Sequence, residues 1–298
     1  MKLQSVRQLF LVLLWSLVIS AHAATTPQWP DNYDFSAVAP TGQTLYYRII
    51  EGNNVKVVAP RCSTKLCIYW NTYPTGSLVI PDTVSNGYAT FNVVSIDMAF
   101  VGCSNLVSVV LPSSLTSISK GAFKDCTSLI SVYYNAENCV STNSVGNLYH
   151  SVFQNCPNLN TITIGPSVRY LRGEVFSGCD NVSTVIVSDS ITSLVMGYGV
   201  FDGCDNLVNP VCNNSLLAYV PRNYSGTYTI PSGITTICDY AFSGCYNLTS
   251  VSIPNTVTTI GQEAFSWCRG LTSVTVPNSV TSIGSCAFAD VPNVQYSG

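Results

Sequence analysis

Phenylalanine recurs along the chain at Phe100, Phe123, Phe153, Phe176, Phe201, Phe242, Phe265 and Phe288, at spacings of 23, 30, 23, 25, 41, 23 and 23 residues. A cysteine follows three residues after each of the first seven, at Cys103, Cys126, Cys156, Cys179, Cys204, Cys245 and Cys268, and Val291 takes that place in the last copy. Three residues further on stands Leu106, Leu129, Leu159, Val182, Leu207, Leu248, Leu271 or Val294. A fixed period near 23 is the mark of a solenoid. One rung cannot bury its own hydrophobic flank, so the copies must stack.

One copy, Ile253 to Pro277, shows the local logic. Leu271, Val274 and Val276 form an L-x-x-V-x-V segment, whose alternation predicts a short strand. Pro277 ends the strand, because proline has no amide to give to a ladder. Val280 and Ile283 open the next rung as Val257 and Ile260 open this one. The short Ala264-Phe265-x-x-Cys268 piece has one apolar face at helical spacing and predicts a single helical turn. Asn105, Asn158, Asn181, Asn206 and Asn247 recur two residues after the cysteine. Asparagine tolerates a left-handed backbone, so these are expected in the turns. The fold class expected is a β-rich α/β solenoid, a right-handed superhelix of short parallel strands and single helical turns with a period of about 23 residues.

Three segments depart from the repeat. Residues 24–79 are expected to form an N-terminal β cap; within it, Leu45–Ile50 and Val55–Val58 flank Gly52-Asn53-Asn54 as a hairpin. The repeat solenoid is expected over 80–298, interrupted near 135–149 and near 208–231. The second interruption carries Tyr219, Arg222, Tyr224 and Tyr228. Tyrosine and arginine are favoured interface anchors, so this segment is either a partner contact or a variant rung with its turn at Asn223–Gly226.

The positions between the buried ones on each predicted strand form two outward columns. One runs Ser108, Ser131, Thr161, Thr184, Asn209, Ser250, Ser273, and the next Val110, Tyr133, Thr163, Ile186, Val211, Ser252, Thr275. They predict a flat, nearly uncharged face whose larger members are Tyr133, Tyr134 and Ile186.

Only 9% of residues are charged, with 12 Lys+Arg against 15 Asp+Glu. No basic stripe exists, which excludes nucleic-acid binding, and the 47% hydrophobic content excludes a disordered chain. Residues 1–23 combine Lys2 and Arg7, an apolar run from Leu9 to Ile19 and an Ala21-His22-Ala23 end, which together make a secretory signal peptide. Cleavage after Ala23 would remove two positive charges and take the net charge from −3 to −5. No later apolar run is long enough to span a bilayer, so no membrane insertion is expected after cleavage.

No constellation for catalysis emerges. His150 is the sole histidine after residue 23 and sits inside the repeat frame. The seven periodic cysteines share one structural position and are expected to be buried, reduced and weakly hydrogen-bonded, without metal-ligand clustering. Asp180 and Asp205 follow the cysteine in two successive copies and are expected to be solvated turn residues. Gly197, Gly199 and Gly203 overlay a rung turn and do not make a phosphate loop. No metal and no cofactor are expected. Cys62 and Cys67 flank a turn outside the repeat; in an oxidising compartment a local disulfide is expected there, with two thiols as the alternative.

The pattern I-P-x-x-V-x-x-I-x-x-x-A-F-x-x-C-x-x-L-x-S-V-x-I-P over residues 80 to 294 resembles the BspA-type leucine-rich repeats of bacterial surface proteins. Tyr33–Tyr47 and the stretch from Ala218 to Pro231 are similar to segments of such proteins. The resemblance implies a secreted or surface-exposed, non-catalytic protein that holds a protein or glycan ligand, such as host matrix or a neighbouring cell. Self-association as an envelope structural protein is the first alternative, and a polysaccharide-active solenoid enzyme with paired carboxylates is the second.

Overall fold

The computed structural model of the chain describes residues 31–61, 70–137, 139–142 and 151–297. Residues 1–23, expected to be a signal peptide, Cys62 and Cys67 with their expected disulfide, His150 and much of the 135–149 interruption therefore lie outside the described residues. Asp31–Gly298 belong to one unit.

Its beginning is antiparallel. Phe35–Val38, Thr44–Ile49 and Asn54–Val58 pair in sequence, and Gly52 turns the second into the third at φ 68. Leu45, Tyr47, Val55 and Val57 alternate inward and are fully buried. Asn54–Val58 then pairs in parallel with Thr90–Ile96, and the sheet continues in parallel through Ser117–Ser119 to Val140–Thr142. Lys56 and Asp97 join the antiparallel part to the parallel part through an ion pair of 2.9 Å.

From there each rung places one strand in each of two stacks. The L-x-x-V-x-V segments form a parallel sheet of Gly76–Val79, Leu106–Leu111, Ser131–Tyr134, Thr161–Ile164 and Thr184–Val187. In this sheet Ser108 faces Ser131 and Thr161 faces Thr184, 23 residues apart, while Ser131 faces Thr161 across 30. The short segments that carry the repeat isoleucine form the second stack. There Leu216–Tyr219, Thr236–Ile237, Thr259–Ile260 and Ser282–Ile283 run in parallel. Further parallel pairs are Tyr170–Leu171 with Val195–Met196, Ser225–Thr229 with Asn247–Ser252, and Ser273–Val276 with Asn293–Tyr296.

Between the two stacks the phenylalanine rings lie over one another. Trp70, Phe100, Phe123, Phe153, Phe176 and Phe201 are stacked at centroid distances of 4.8 to 5.8 Å, and Phe242, Phe265 and Phe288 at 4.7 and 5.3 Å. The backbone follows the rings. The amides of Phe100, Phe123, Phe176, Phe242 and Phe265 each donate to a carbonyl of the next rung, at 2.7 to 3.1 Å.

The expected helical turns are absent among the described residues. The reason lies in the backbone on either side of each phenylalanine. All eight residues that follow a ladder phenylalanine by two positions are left-handed: Gly102, Asp125, Asn155, Gly178, Gly203, Gly244, Trp267 and Asp290. Gly121, Glu174, Gly199, Tyr240, Glu263 and Cys286, two positions before it, are left-handed as well. A helix needs consecutive right-handed residues, and here the run is cut on both sides of the ring. The left-handed site is thus the residue before the cysteine and not the asparagine after it. Those asparagines instead tie rungs together: Asn158 donates to Thr127 O at 2.7 Å and Asn206 to Asn181 Oδ1 at 2.9 Å.

The ladder cysteines are buried thiols. Cys126 Sγ donates to Phe100 O at 3.2 Å, Cys156 to Phe123 O at 3.1 Å, Cys204 to Phe176 O at 3.4 Å and Cys268 to Phe242 O at 3.0 Å. A thiol is apolar enough for the core and still supplies a donor across the rungs; at Phe100, Phe176 and Phe242 it is the carbonyl's second, beside the amide of that rung's own cysteine. Burial pushes Cys103, Cys204 and Cys268 up to about 12.

Two predictions follow from the ladder. Phe176→Ala leaves a cavity between two neighbouring rings and is expected to destabilise the fold by about 3–5 kcal/mol, read from the shift of the urea unfolding midpoint. A loss below about 1 kcal/mol would show that the ring is not a packing element. For pH, unfolded thiols ionise near their ordinary value of 9.0 whereas burial makes the folded ones hold their protons to about 12. Between those values the unfolded chain binds fewer protons, so stability falls as pH rises; burial of the Tyr47 and Tyr219 hydroxyls adds the same sign. Guanidinium midpoints are expected to be level around neutrality and to drop progressively above about pH 9. A midpoint that holds level to about pH 11 would contradict the buried thiol ladder.

Candidate functional site

A regular exposed surface is the outer face of the five-stranded parallel sheet from Gly76–Val79 to Thr184–Val187. The pleat sends Leu78, Val109, Val132 and Ile162 into the core. It turns two columns outward, Ser77–Ser108–Ser131–Thr161–Thr184 and Val79–Val110–Tyr133–Thr163–Ile186, each held side by side by the strand register. No charged side chain stands in either column. Ile186 is 51% exposed at the far end, and Tyr133 is half-buried in the middle. Gly165 fixes the tyrosine's surroundings: a Cβ there would lie 2.9 Å from the Tyr133 hydroxyl and 2.3 Å from Asn135 Oδ1.

Beside this face, where the turns lead into the strands, runs an open polar groove of about 550 Å³ lined by Pro157, Asn158, Asn160, Asn181, Ser183 and Asn206. Its side chains are cross-linked. Asn160 Nδ2 donates to Ser183 Oγ at 2.9 Å, and Thr161 Oγ1 donates to Asn160 Oδ1 at 3.0 Å. Face and groove together form an uncharged surface of hydroxyls and amides with a few apolar members. Such a surface binds by shape and hydrogen bonding. Asn160 and Ser183 went unnoticed in the sequence, although both immediately precede a strand whose face position had been assigned. Ser77 and Val79 were also missed, although Leu78-Val79-Ile80-Pro81 carries the strand-ending proline of the repeat.

The structure removes Tyr134 from the face. It is 1% exposed, its ring meets Phe176 edge-on at 5.7 Å, and its hydroxyl bonds the Cys139 sulfur. Adjacent residues of a strand point to opposite faces, so Tyr133 and Tyr134 cannot share one. Val211 also leaves its column: it is buried and pairs antiparallel with Tyr219.

That pairing opens the second interruption, which is a hairpin followed by a variant rung. Val211–Cys212 and Leu216–Tyr219 form the hairpin, and Asn213 Oδ1 accepts the amides of Ser215 and Leu216 at its turn. From Leu217 the rung reaches Val220 in three residues, where other rungs take five from the isoleucine to the phenylalanine. Val220 nonetheless fills the phenylalanine's backbone role, since its amide donates to Ala241 O at 2.7 Å and its carbonyl accepts Cys245 Sγ at 3.6 Å. Tyr219 supplies the missing ring by packing on Phe201 at 5.4 Å. Tyr228 is buried against Phe242 at 5.6 Å, contrary to its expected role as an exposed anchor, and Tyr224 packs edge-on against Tyr228 at 5.3 Å.

Arg222 spans the rungs on either side. Its Nη2 lies 2.8 Å from Asp202 Oδ1, its Nε donates to Ser243 O at 3.3 Å, and its guanidinium sits 5.9 Å from the Tyr198 ring centroid. Gly244 is required there, because a Cβ would lie 3.0 Å from Arg222 Nε. Burial raises the Asp202 carboxyl above the usual carboxylate range even with Arg222 drawing it down.

Among the described residues no three His, Cys, Asp or Glu side chains come together as a metal set, and Asp180 and Asp205 are exposed turn residues. No helix of the described residues is long and apolar enough to cross a membrane.

The BspA type leucine-rich repeat region is matched in six copies, over residues 89–208 and 222–296. The chain belongs to the BspA-type leucine-rich-repeat family. The match to this family of bacterial surface proteins breaks between 208 and 222, where the hairpin and the shortened rung stand. Among solved structures, a leucine-rich cell surface protein from Faecalibacterium prausnitzii is 17% identical, with 90% of this chain and 96% of that one covered and a TM-score of 0.31. A leucine-rich repeat protein from Bacteroides ovatus is 19% identical over 88% and 91%, with a TM-score of 0.34. One from Eubacterium ventriosum is 20% identical over 89% and 73%, with a TM-score of 0.35. No curated protein matches the chain.

Arg222 is expected to act as a splint across the variant rung. Arg222→Met leaves Asp202 half-buried without its cation and should cost about 1–2 kcal/mol, a figure discounted for the pair's partial exposure. Adding Asp202→Asn should return a large part of it in a double-mutant cycle. Additive losses would rule out the splint.

Proposed function

We propose that the chain is a secreted or cell-surface binding protein without catalytic function, and that it holds a protein partner across the outer face of the five-stranded sheet. Leucine-rich-repeat proteins generally mediate protein binding. The observation that carries the assignment to this face is the pair of outward columns, which are in register over five strands and contain no charged side chain. Val110 and Tyr133 provide apolar surface in the middle of the face and Ile186 at its end, and the Ser and Thr column with the Asn160–Ser183 groove provides polar surroundings of the kind specific interfaces have. Host matrix or the surface of a neighbouring cell is the partner that accords with a bacterial surface family. The residues of the variant rung contribute to the fold and not to this contact.

Binding of the purified chain to a panel of immobilised extracellular-matrix proteins tests this. The double substitution Thr163→Arg and Ile186→Glu puts two charges side by side in the outward column of the face and leaves the core untouched. It is expected to weaken the captured partner about tenfold or more, with an unchanged thermal midpoint. Undiminished binding by this variant would place the contact elsewhere.

A further inference from the structure

The left-handed column two residues after the ladder phenylalanine holds glycine in four copies and Asp125, Asn155 and Asp290 in three. These are the residue types that tolerate that backbone. Trp267, at φ 60, is the exception. A bulky side chain there is an outlier, and such outliers gather at ligand sites.

Packing does not account for it, because Trp267 is 46% exposed. The Arg269 guanidinium lies 5.0 Å from its ring centroid, which steadies the indole while nearly half of it stays in solvent. Arg269 is itself exposed and makes no ion pair with the described residues. One rung earlier Tyr246, 52% exposed, holds the position equivalent to Arg269, directly after a ladder cysteine. Neighbouring rungs are separated by about one strand spacing, ~4.8 Å, which places Tyr246 beside Arg269, the residue whose guanidinium meets the Trp267 ring. Around it stand the exposed polar residues Asn247, Thr272 and Asn293.

The size of the patch selects the occupant. Between Val208 and Ile283 no other large hydrophobic side chain is exposed among the described residues. Two aromatic residues on a polar surface fall far short of the roughly 800 Å² per partner of a stable protein interface. They match one pyranose ring, whose C–H face lies on an indole while its hydroxyls reach amides and hydroxyls at the rim. We propose that Trp267, Tyr246 and Arg269 form a carbohydrate site, separate from the sheet face, in which a sugar ring stacks on the indole.

The test uses the full chain on an array of defined oligosaccharides with two arms, one of neutral hexoses and N-acetylhexosamines and one of carboxylate-bearing uronates and sialates. Bound members are then titrated by isothermal calorimetry, which does not depend on the indole that the variants remove. Trp267→Gly and Trp267→Asn place in this column residues it already carries at Gly244 and Asn155, so both are expected to keep the parent's thermal midpoint. Each should lose about tenfold or more of the sugar affinity, while the Thr163→Arg, Ile186→Glu variant keeps it. Binding confined to the neutral arm supports the stacked ring alone. Binding in the carboxylate arm that Arg269→Gln abolishes supports the ring with a guanidinium contact. No array member bound by the parent, or equal binding by both Trp267 variants, overturns the proposal.

Discussion

No rung of this solenoid completes its own turn. The amide of a ladder phenylalanine donates forward to the next rung, and its carbonyl accepts the thiol that the next rung presents. A rung standing alone would leave that amide buried and unpartnered, at about 1–3 kcal/mol, and the carbonyl with only the amide of its own rung's cysteine, as Phe100 O has Cys103 N. Ring stacking, parallel pairing and backbone satisfaction therefore arise together or not at all, and the architecture propagates through nearest neighbours. The antiparallel strands at the start of the unit fit this constraint. They can pair among themselves, and they offer Asn54–Val58 as an edge on which the first parallel strand forms.

The variant rung shows which parts of a rung are indispensable. It lacks the phenylalanine and two residues of the turn, yet it keeps the forward amide bond and the thiol acceptor through Val220. Its strand divides the core: Leu216 and Ala218 face one hydrophobic cluster, and Leu217 and Val220 the other. A rung may thus exchange its ring so long as its backbone contacts survive. The exchange has a cost at the surface, because the flat face ends at Thr184–Val187, and the later pairs Ser225–Thr229 with Asn247–Ser252 and Ser273–Val276 with Asn293–Tyr296 are only two strands wide.

Much of the fold was legible in the sequence because stacking forces the same residue types into the same places. Cysteine at a fixed distance from phenylalanine announces a position in the core, and alternation in Val274 and Val276 announces a strand. The turn conformation was not legible from apolar spacing, since Ala-Phe-x-x-Cys suits a helical turn as well as the broken one observed. The clue was the residue before the cysteine, where Gly, Asp and Asn alternate down the column. Tyr134 was misplaced for a different reason. Two neighbouring tyrosines look alike in composition, and only the pleat decides that one is solvent-facing and the other in the core. The tyrosines of the variant rung left two readings open because a degenerate copy hides its own register: Tyr219 reads equally as an exposed anchor or a rung residue until Phe201 is seen beneath it.

The thiol ladder has one more consequence, for a protein whose family lives at the cell surface. Thirteen cysteines would ordinarily make a chain dependent on the redox potential of its surroundings. Here the ladder sulfurs serve as apolar side chains with one hydrogen to give, and burial keeps them from the thiolate form through which disulfide exchange proceeds. The stack is thus built to have the same stability in a reducing as in an oxidising medium, using a residue most exported proteins reserve for cross-links.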